Sequence, residues 1–220
     1  MALLCLLITL GIYALAKRLH LWRPALWTMP ALMVPTILVL LLVWLRIPFS
    51  VYNQYSHWLV WLLGPATVAF ALPIYQQRAI LRRYPVSIFV GVLSCIVLGA
   101  GGSWAISRLF SLSPDVERCM VLRSISTPFA LEAAGLAGAS QGVTSLVVIL
   151  TGLCGIIIGE TVLQCVSSRS RLARGAMWGA AAHAFGTVKA QHRHTDEGVV
   201  SSIVMILAGV AMVLLSAWVF

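Results

Sequence analysis

Charged side chains are scarce in this sequence. Of its 220 residues only 10% are charged and 60% are apolar, and the mean hydropathy is +0.97. Because a soluble domain holds roughly 45–50% apolar residues, a soluble globular protein is excluded. The 15 basic residues stand in short clusters between apolar runs and form no basic face, so nucleic acid is not an expected partner. The composition predicts an integral protein of the lipid bilayer.

Patterns that would indicate a metal site, a cofactor or catalysis are also lacking. The five cysteines are widely spaced with no C-x-x-C pair, which is typical of small packing residues. His192 and His194 form an H-x-H, but no third ligand lies nearby in the sequence. No nucleophile–base pair is apparent. We therefore expect no metal, no cofactor and no enzymatic activity.

Apolar runs long enough to approach or exceed a membrane span recur along the whole chain. The predicted spans are 2–16, 25–45, 58–74, 86–107, 143–166 and 198–220, and two weaker segments are 119–138 and 176–190. The charges of the first run follow it and no cleavage site is apparent, so it is interpreted as a retained helix and not as a signal peptide. The sequence predicts a single polytopic, all-α domain over residues 1–220, with about six spanning helices.

Three basic clusters constrain the topology, because loops rich in Lys and Arg stay on the cytoplasmic side. The clusters are Lys17/Arg18/Arg23, Arg78/Arg82/Arg83 and Arg169/Arg171/Arg174. If 119–138 crossed the membrane, the second and third clusters would lie on opposite sides. The rule therefore favours a re-entrant segment that enters and leaves on the outer side.

The segment 119–138 contains RSISTPFALEAAG, which is unusually polar for its surroundings. Pro128 is predicted to break the helix, and Ser126 and Thr127 can offer hydroxyls to a ligand. Glu132 is expected to face the interior, because a carboxylate in lipid costs about 2.5–3.5 kcal/mol. It is a candidate for proton coupling. The alternative is a carboxylate at the membrane edge that caps a helix or pairs with Arg123.

The segment 176–190 is short and rich in Gly and Ala, which suits backbone that lines a cavity. A break at Gly186 would let His183, Thr187 and Lys189 approach one site. A cation at depth suits a small anion, and a histidine suits proton exchange. Lys189 can instead extend to the interface. This segment would enter from the cytoplasm, so the two weak segments are opposed, as in transporters built on inverted repeats.

The stretch LLGPATVAFALPIY, residues 62–75, carries prolines inside an apolar run. Gly64, Pro65 and Pro73 are predicted helix breaks, because each proline removes a backbone donor. A structural kink and a contribution to a translocation path are both consistent with this pattern.

Four stretches, LLGPATVAFALPIY, RSISTPFALEAAG, ILTGLCGIIIG and GAAAHAFGTVKAQ…DEGVVSS, resemble in order and spacing those of the LrgB/CidB family of bacterial membrane proteins. The resemblance covers about residues 60–220, the family's core. Arg123 stands where a basic residue is usual, and Ala182 where a serine is common. The resemblance implies the bacterial inner membrane as location.

The resemblance implies two functions. One is a holin-like or antiholin-like protein that regulates murein hydrolases and lysis with an LrgA/CidA-like partner. The other is a carrier of pyruvate, glycolate or glycerate. The buried polar residues favour proton-coupled carriage by alternating access. The predicted substrate-binding residues are Ser126, Thr127, Pro128, Gly186, Thr187 and Lys189, with Glu132 and His183 exchanging a proton. Glycine-rich faces and the resemblance also suggest a homodimer.

Overall fold

A computed structural model describes residues 2–23, 25, 28–62, 65, 71–76, 78–166 and 170–219. Helices account for nearly all of these residues, and no strand occurs among them. The predicted all-α membrane fold is therefore confirmed. The chain forms two compact units, Met1–Pro65 and Ala66–Phe220. The single-domain assignment over residues 1–220, with a family core from about residue 60, stays a prediction.

The first unit contains helices α1 (Ala2–Trp22), α2 (Pro30–Trp44) and α3 (Phe49–Trp61). Pro30 starts α2, where its missing N–H would have no helical partner in any case. Helix α1 packs on both other helices, and Ala16 is buried against Val34 and Leu38 of α2.

The second unit holds the remaining described helices. These are α4 (Ala71–Gln76), α5 (Arg78–Arg83), α6 (Pro85–Ser94), α7 (Gly102–Leu109), α8 (Pro114–Leu122), α9 (Thr127–Ala137), α10 (Gln141–Cys165), α11 (Arg171–Arg193) and α12 (Thr195–Val219). A π-helical stretch, Cys95–Gly101, joins α6 to α7, so that Pro85–Leu109 is one continuous rod. Helix α12 is the most buried of the long helices and packs against α6, α9 and α11.

Four described helices are long and apolar enough to span a membrane: Ala2–Trp22, Pro85–Leu109, Gln141–Cys165 and Thr195–Trp218. They match four of the six predicted spans. The predicted span at 25–45 contains the shorter apolar helix Leu32–Trp44. The predicted span at 58–74 includes residues 63, 64 and 66–70, which lie outside the described part of the chain.

Helices α8 and α9 form a re-entrant hairpin, here called hairpin 1. After the turn at 123–126, α9 runs back beside α8, because the Cys119 thiol lies 3.6 Å from the Ser140 carbonyl oxygen beyond the end of α9. Gly138, with φ of 63°, ends α9 close to the Arg118 guanidinium. The predicted break at Pro128 is wrong by a few residues. Pro128 lies in the first turn of α9, where proline favours a helix start.

The segment α11 consists of two helical arms that meet at a sharp break at His183. They form a second hairpin, here called hairpin 2. The backbone of His183 has φ 49° and ψ −129°, which no helix accommodates. Gly186 lies directly against the carbonyl oxygen of Trp178, although these residues would be about 12 Å apart along a continuous helix. The predicted break in this segment is therefore confirmed, but it lies at His183 and not at Gly186.

The two hairpins approach α10 from opposite ends. Hairpin 1 precedes the N-terminus of α10 and hairpin 2 follows its C-terminus. The Arg123 side chain at the first tip reaches Thr151, and Ala182 beside the second tip contacts Gly152 and Gly155. Since these α10 residues lie close to the middle of the 25-residue helix, the two tips meet at its centre. The predicted opposed arrangement is present.

Candidate functional site

A cavity of about 1140 Å³ lies between the rod 85–109 and α10, and the tips of both hairpins close its inner end. Val86, Val162 and Ser170 line the other end, close in sequence to the basic residues of α5 and of the start of α11. The cavity thus runs from the end of the second unit that carries these basic residues to its middle. The positive-inside rule predicts that this end faces the cytoplasm.

Arg123 brings a positive charge to the inner end of the cavity. Its Nη1 donates a hydrogen bond of 3.4 Å to Thr151 Oγ1, and its buried Nε has no hydrogen-bond partner in the described part of the chain. Among the described residues that line the cavity, Arg123 alone carries a permanent charge. A guanidinium in apolar surroundings, with donors to spare, suits a carboxylate that accepts two parallel hydrogen bonds.

Two more polar groups beside Arg123 point to a binding site. Among the described residues, the hydroxyl of Ser124 and the Nε2 of His183 have no hydrogen-bond partner; both groups are buried, and both residues line the cavity. The His183 ring also lies close to the Arg123 backbone. Because buried polar groups in proteins are almost always paired, unpaired groups around one cation indicate a place for a polar ligand.

Cys95 holds the two tips together. Its thiol lies 3.1 Å from the Ser124 carbonyl oxygen of hairpin 1 and 3.6 Å from the Ala180 carbonyl oxygen of hairpin 2. The π-helical stretch that starts at Cys95 lets Gly99 approach the Ser124 side chain. The rod 85–109 therefore contacts both tips at one point. Such π-helical segments are frequent at functional sites.

The predicted binding residues at the start of α9 lie near the tip of hairpin 1, but they do not line the cavity. Ser126 is the N-cap residue of α9 and is buried, and no described residue forms a hydrogen bond with its hydroxyl. Thr127 and Pro128 are half-buried in the first turn. The amino end of α9 thus lies at the tip of hairpin 1.

Glu132 does not face the interior, and that expectation of its orientation is wrong. The buried face of α9 consists of Phe129 and of Ala130, Ala133, Ala134 and Ala137. Residues spaced by three and four share one face of a helix, so Glu132 falls outside this face. Its exposed side chain lines a separate groove of about 340 Å³ between α9 and α12. The Arg123 side chain is directed to Thr151 instead.

The predicted binding residues in the returning arm of hairpin 2, residues 184–193, are engaged in packing. Gly186 is buried against Trp178. Thr187 Oγ1 lies 2.8 Å from Ser201 Oγ of α12. The ammonium of Lys189 lies 2.7 Å from Glu160 Oε2 and 5.6 Å from the centre of the Trp178 ring. In the described part of the chain, His183 is the predicted site residue that lines the cavity.

The predicted helix breaks near residue 65 are only partly visible. Gly64 lies outside the described residues, and Pro65 is an isolated described position. Pro73 lies in the described helical stretch Ala71–Gln76, and the preceding residues 66–70 lie outside the described part of the chain.

Sequence reasoning overlooked Arg123 and Thr151 as the polar centre of the cavity. The signal was an arginine at the start of RSISTP, beside a predicted break, but it was assigned only to pairing with Glu132. Among the described residues, no three His, Cys, Asp or Glu side chains lie together as metal ligands would.

The sequence model of the LrgB-like family matches residues 9–220. The protein YwbG of Bacillus subtilis is 35% identical over 207 residues, covering 93% of this chain and 91% of YwbG. A protein named holin-like protein CidB from Staphylococcus aureus is 32% identical over 209 residues, with 95% and 91% covered. Its Staphylococcus epidermidis namesake is 31% identical over the same length and coverage. No solved structure matches.

Proposed function

Because this chain belongs to the LrgB-like family, we propose that it is a secondary transporter of small monocarboxylates in the bacterial inner membrane. The observation that supports this proposal is the position of Arg123, at the end of a cavity and between two opposed hairpin tips. Pyruvate, glycolate and glycerate each present one carboxylate to a single guanidinium. A charge at this depth is costly unless it serves a ligand or a transport path.

Transport in this proposal uses Arg123 as the resting place of the carboxylate. The apolar walls strengthen the attraction between the ions, because the surrounding dielectric constant is low. The hydroxyl or keto oxygen of such an acid can accept a hydrogen bond from Ser124 or His183. The polar atoms of these two side chains are buried and have no hydrogen-bond partner among the described residues. Movement of the hairpins against α10 then opens Arg123 to one side of the membrane or the other.

Proton coupling through His183 and Glu132 is a separate part of the proposal. His183 lines the cavity and can exchange a proton beside the substrate. Glu132 lies in the groove between α9 and α12 and would act on the position of hairpin 1. In Glu132→Gln, we expect substrate uptake that no longer responds to an imposed pH gradient, while exchange across equal pH continues. Uptake that still follows the gradient would remove Glu132 from the coupling.

Flux of labelled pyruvate or glycolate into proteoliposomes tests the carrier. We expect saturable uptake by the unaltered chain, loss of at least tenfold in Arg123→Gln, and partial recovery in Arg123→Lys, which restores charge without the planar fork. Arg118→Gln is the matched control, because Arg118 lies on α8 but does not line the cavity. Unaltered flux in a folded, membrane-inserted Arg123→Gln protein would refute the site.

A holin-like role is the second candidate, and the printed names of the CidB relatives favour it over transport. In that role the chain would regulate lysis together with a small LrgA/CidA-like membrane protein. Reconstitution with and without such a partner separates the candidates. Release of entrapped dyes without saturation, only when the partner is present, supports the holin-like role. Saturable flux of one anion class by the chain alone supports the carrier.

A further inference from the structure

The cavity is far larger than the small acids of the proposed function require. Its volume of about 1140 Å³ slightly exceeds the roughly 300–1,000 Å³ of pockets that bind drug-sized ligands. It is an open cleft, because wall residues such as Leu98 and Ile158 are largely exposed. Apart from the polar groups at its inner end, the walls are mainly aliphatic. Val90 and Leu98 of the rod 85–109 and Leu150, Ile158 and Val162 of α10 are examples. A short acid on Arg123 would leave this apolar surface uncovered.

The apolar walls extend away from Arg123 in one direction. Thr151, which contacts the guanidinium, and Val162 lie on the same helix, and both line the cavity. Their separation along α10 is about 16 Å. The wall is therefore long enough for an extended chain of several carbons whose carboxylate lies on Arg123.

We infer that this cavity binds monocarboxylates that carry an apolar tail, with the carboxylate on Arg123 and the tail between the rod 85–109 and α10. Charge complementarity fixes the orientation, because the cation lies at the inner end and the described walls beyond it carry no other permanent charge. A ligand without charge gains only the apolar contacts, and a dicarboxylate would bury a second charge without a partner.

The inference rests on the proposed function only in using the same Arg123 site, and binding can be measured without transport. Each added methylene that reaches the wall should tighten binding about fourfold, which is the usual gain for burying one such group. The gain should stop when the tail reaches the cytoplasmic end of the cavity. Acetate, butyrate, hexanoate and octanoate form a suitable series.

Two natural cysteines on α10 provide the measurement. Cys154 is exposed and lines the cavity, whereas Cys165 is exposed but does not line it. The rate at which a maleimide reacts with Cys154 therefore reports occupancy, and the rate at Cys165 reports general changes in access. Cys165→Ser and Cys154→Ser proteins in nanodiscs give the two rates separately.

The expected result is that octanoate protects Cys154 but not Cys165, at a concentration lower by about fourfold per methylene than butyrate. Octan-1-ol, compared at equal amounts in the bilayer, should not protect. Arg123→Gln, checked for folding by its unchanged Cys165 rate, should weaken protection at least tenfold, and Arg123→Lys less. Protection by octan-1-ol or independence of Arg123 would overturn the inference and assign the cleft to lipid chains.

The outcomes also separate this inference from the proposed function. Protection by pyruvate or acetate that does not improve with chain length would refute the apolar subsite and leave the carrier intact. Protection by octanoate in a protein that shows no flux of any acid would support the binding site and refute the carrier.

Discussion

Lys189 and Glu160 form an ion pair of 2.7 Å that joins the returning arm of hairpin 2 to α10. Arg193 lies 3.7 Å from the same carboxylate. On the other arm, Arg174 donates from Nε to the buried Glu197 of α12 over 2.8 Å. Ion pairs therefore hold both arms of hairpin 2 against neighbouring helices, while its tip lines the cavity.

This pairing gives Lys189 a structural position and makes its predicted role in substrate binding testable. Lys189→Glu and Glu160→Lys alone should each lower stability, and the double exchange should recover part of the loss, with a coupling of about 0.2–1 kcal/mol because the pair is half exposed. Thermal unfolding in detergent measures the stability, and flux is followed in parallel. If the exchanged pair folds stably but carries no substrate, the charge at position 189 itself is needed.

Gly99 controls how closely the rod 85–109 approaches the first tip. A Cβ at this position would lie 2.5 Å from Ser124 Oγ, whereas one at Gly101 would meet nothing within 4 Å. Gly99→Ala should destabilise the protein by about 1–3 kcal/mol through overpacking. Gly101→Ala is the matched control and should be neutral or stabilising. Equal melting temperatures for the two variants would contradict this contact.

His183 occupies a backbone conformation that side chains disfavour. Glycine normally costs a helix about 1 kcal/mol relative to alanine, but here the order should reverse, since only glycine adopts this conformation without strain. We expect His183→Gly to be more stable than His183→Ala by about 1 kcal/mol. Ala184→Gly, one residue into the returning arm, should show the normal loss. Thermal unfolding measures the stability of each variant. A His183→Ala protein more stable than His183→Gly would exclude a strained turn.

The long helices and the re-entrant topology were predictable, because apolar runs and basic clusters act locally and additively. Length and hydropathy alone were enough to predict the helices at 85–109, 141–165 and 195–219. The turns were harder to place. Proline marks a helix start as readily as a break, as Pro128 does, and the positive φ of His183 has no signature in its residue type.

Side-chain directions were the least predictable part of the site. Glu132 was expected to face the interior, and its pairing with Arg123, nine residues away, was the alternative. Their directions depend on which face of α9 packs against α12 and on where the turn at 123–126 leaves the arginine. That choice is made by tertiary contacts, mainly those of alanines that carry no functional signal.

The inner face of α9 has a kinetic consequence. It presents only methyl groups from Ala130, Ala133, Ala134 and Ala137 to its neighbours, apart from the single ring of Phe129 at the tip. Alanine has no side-chain rotamers, so a shift of α9 along its axis requires few side chains to rearrange. Along most of this face such a shift would displace only methyl groups, and the ring of Phe129, packed against Gly209 of α12, is the one large side chain that would have to move.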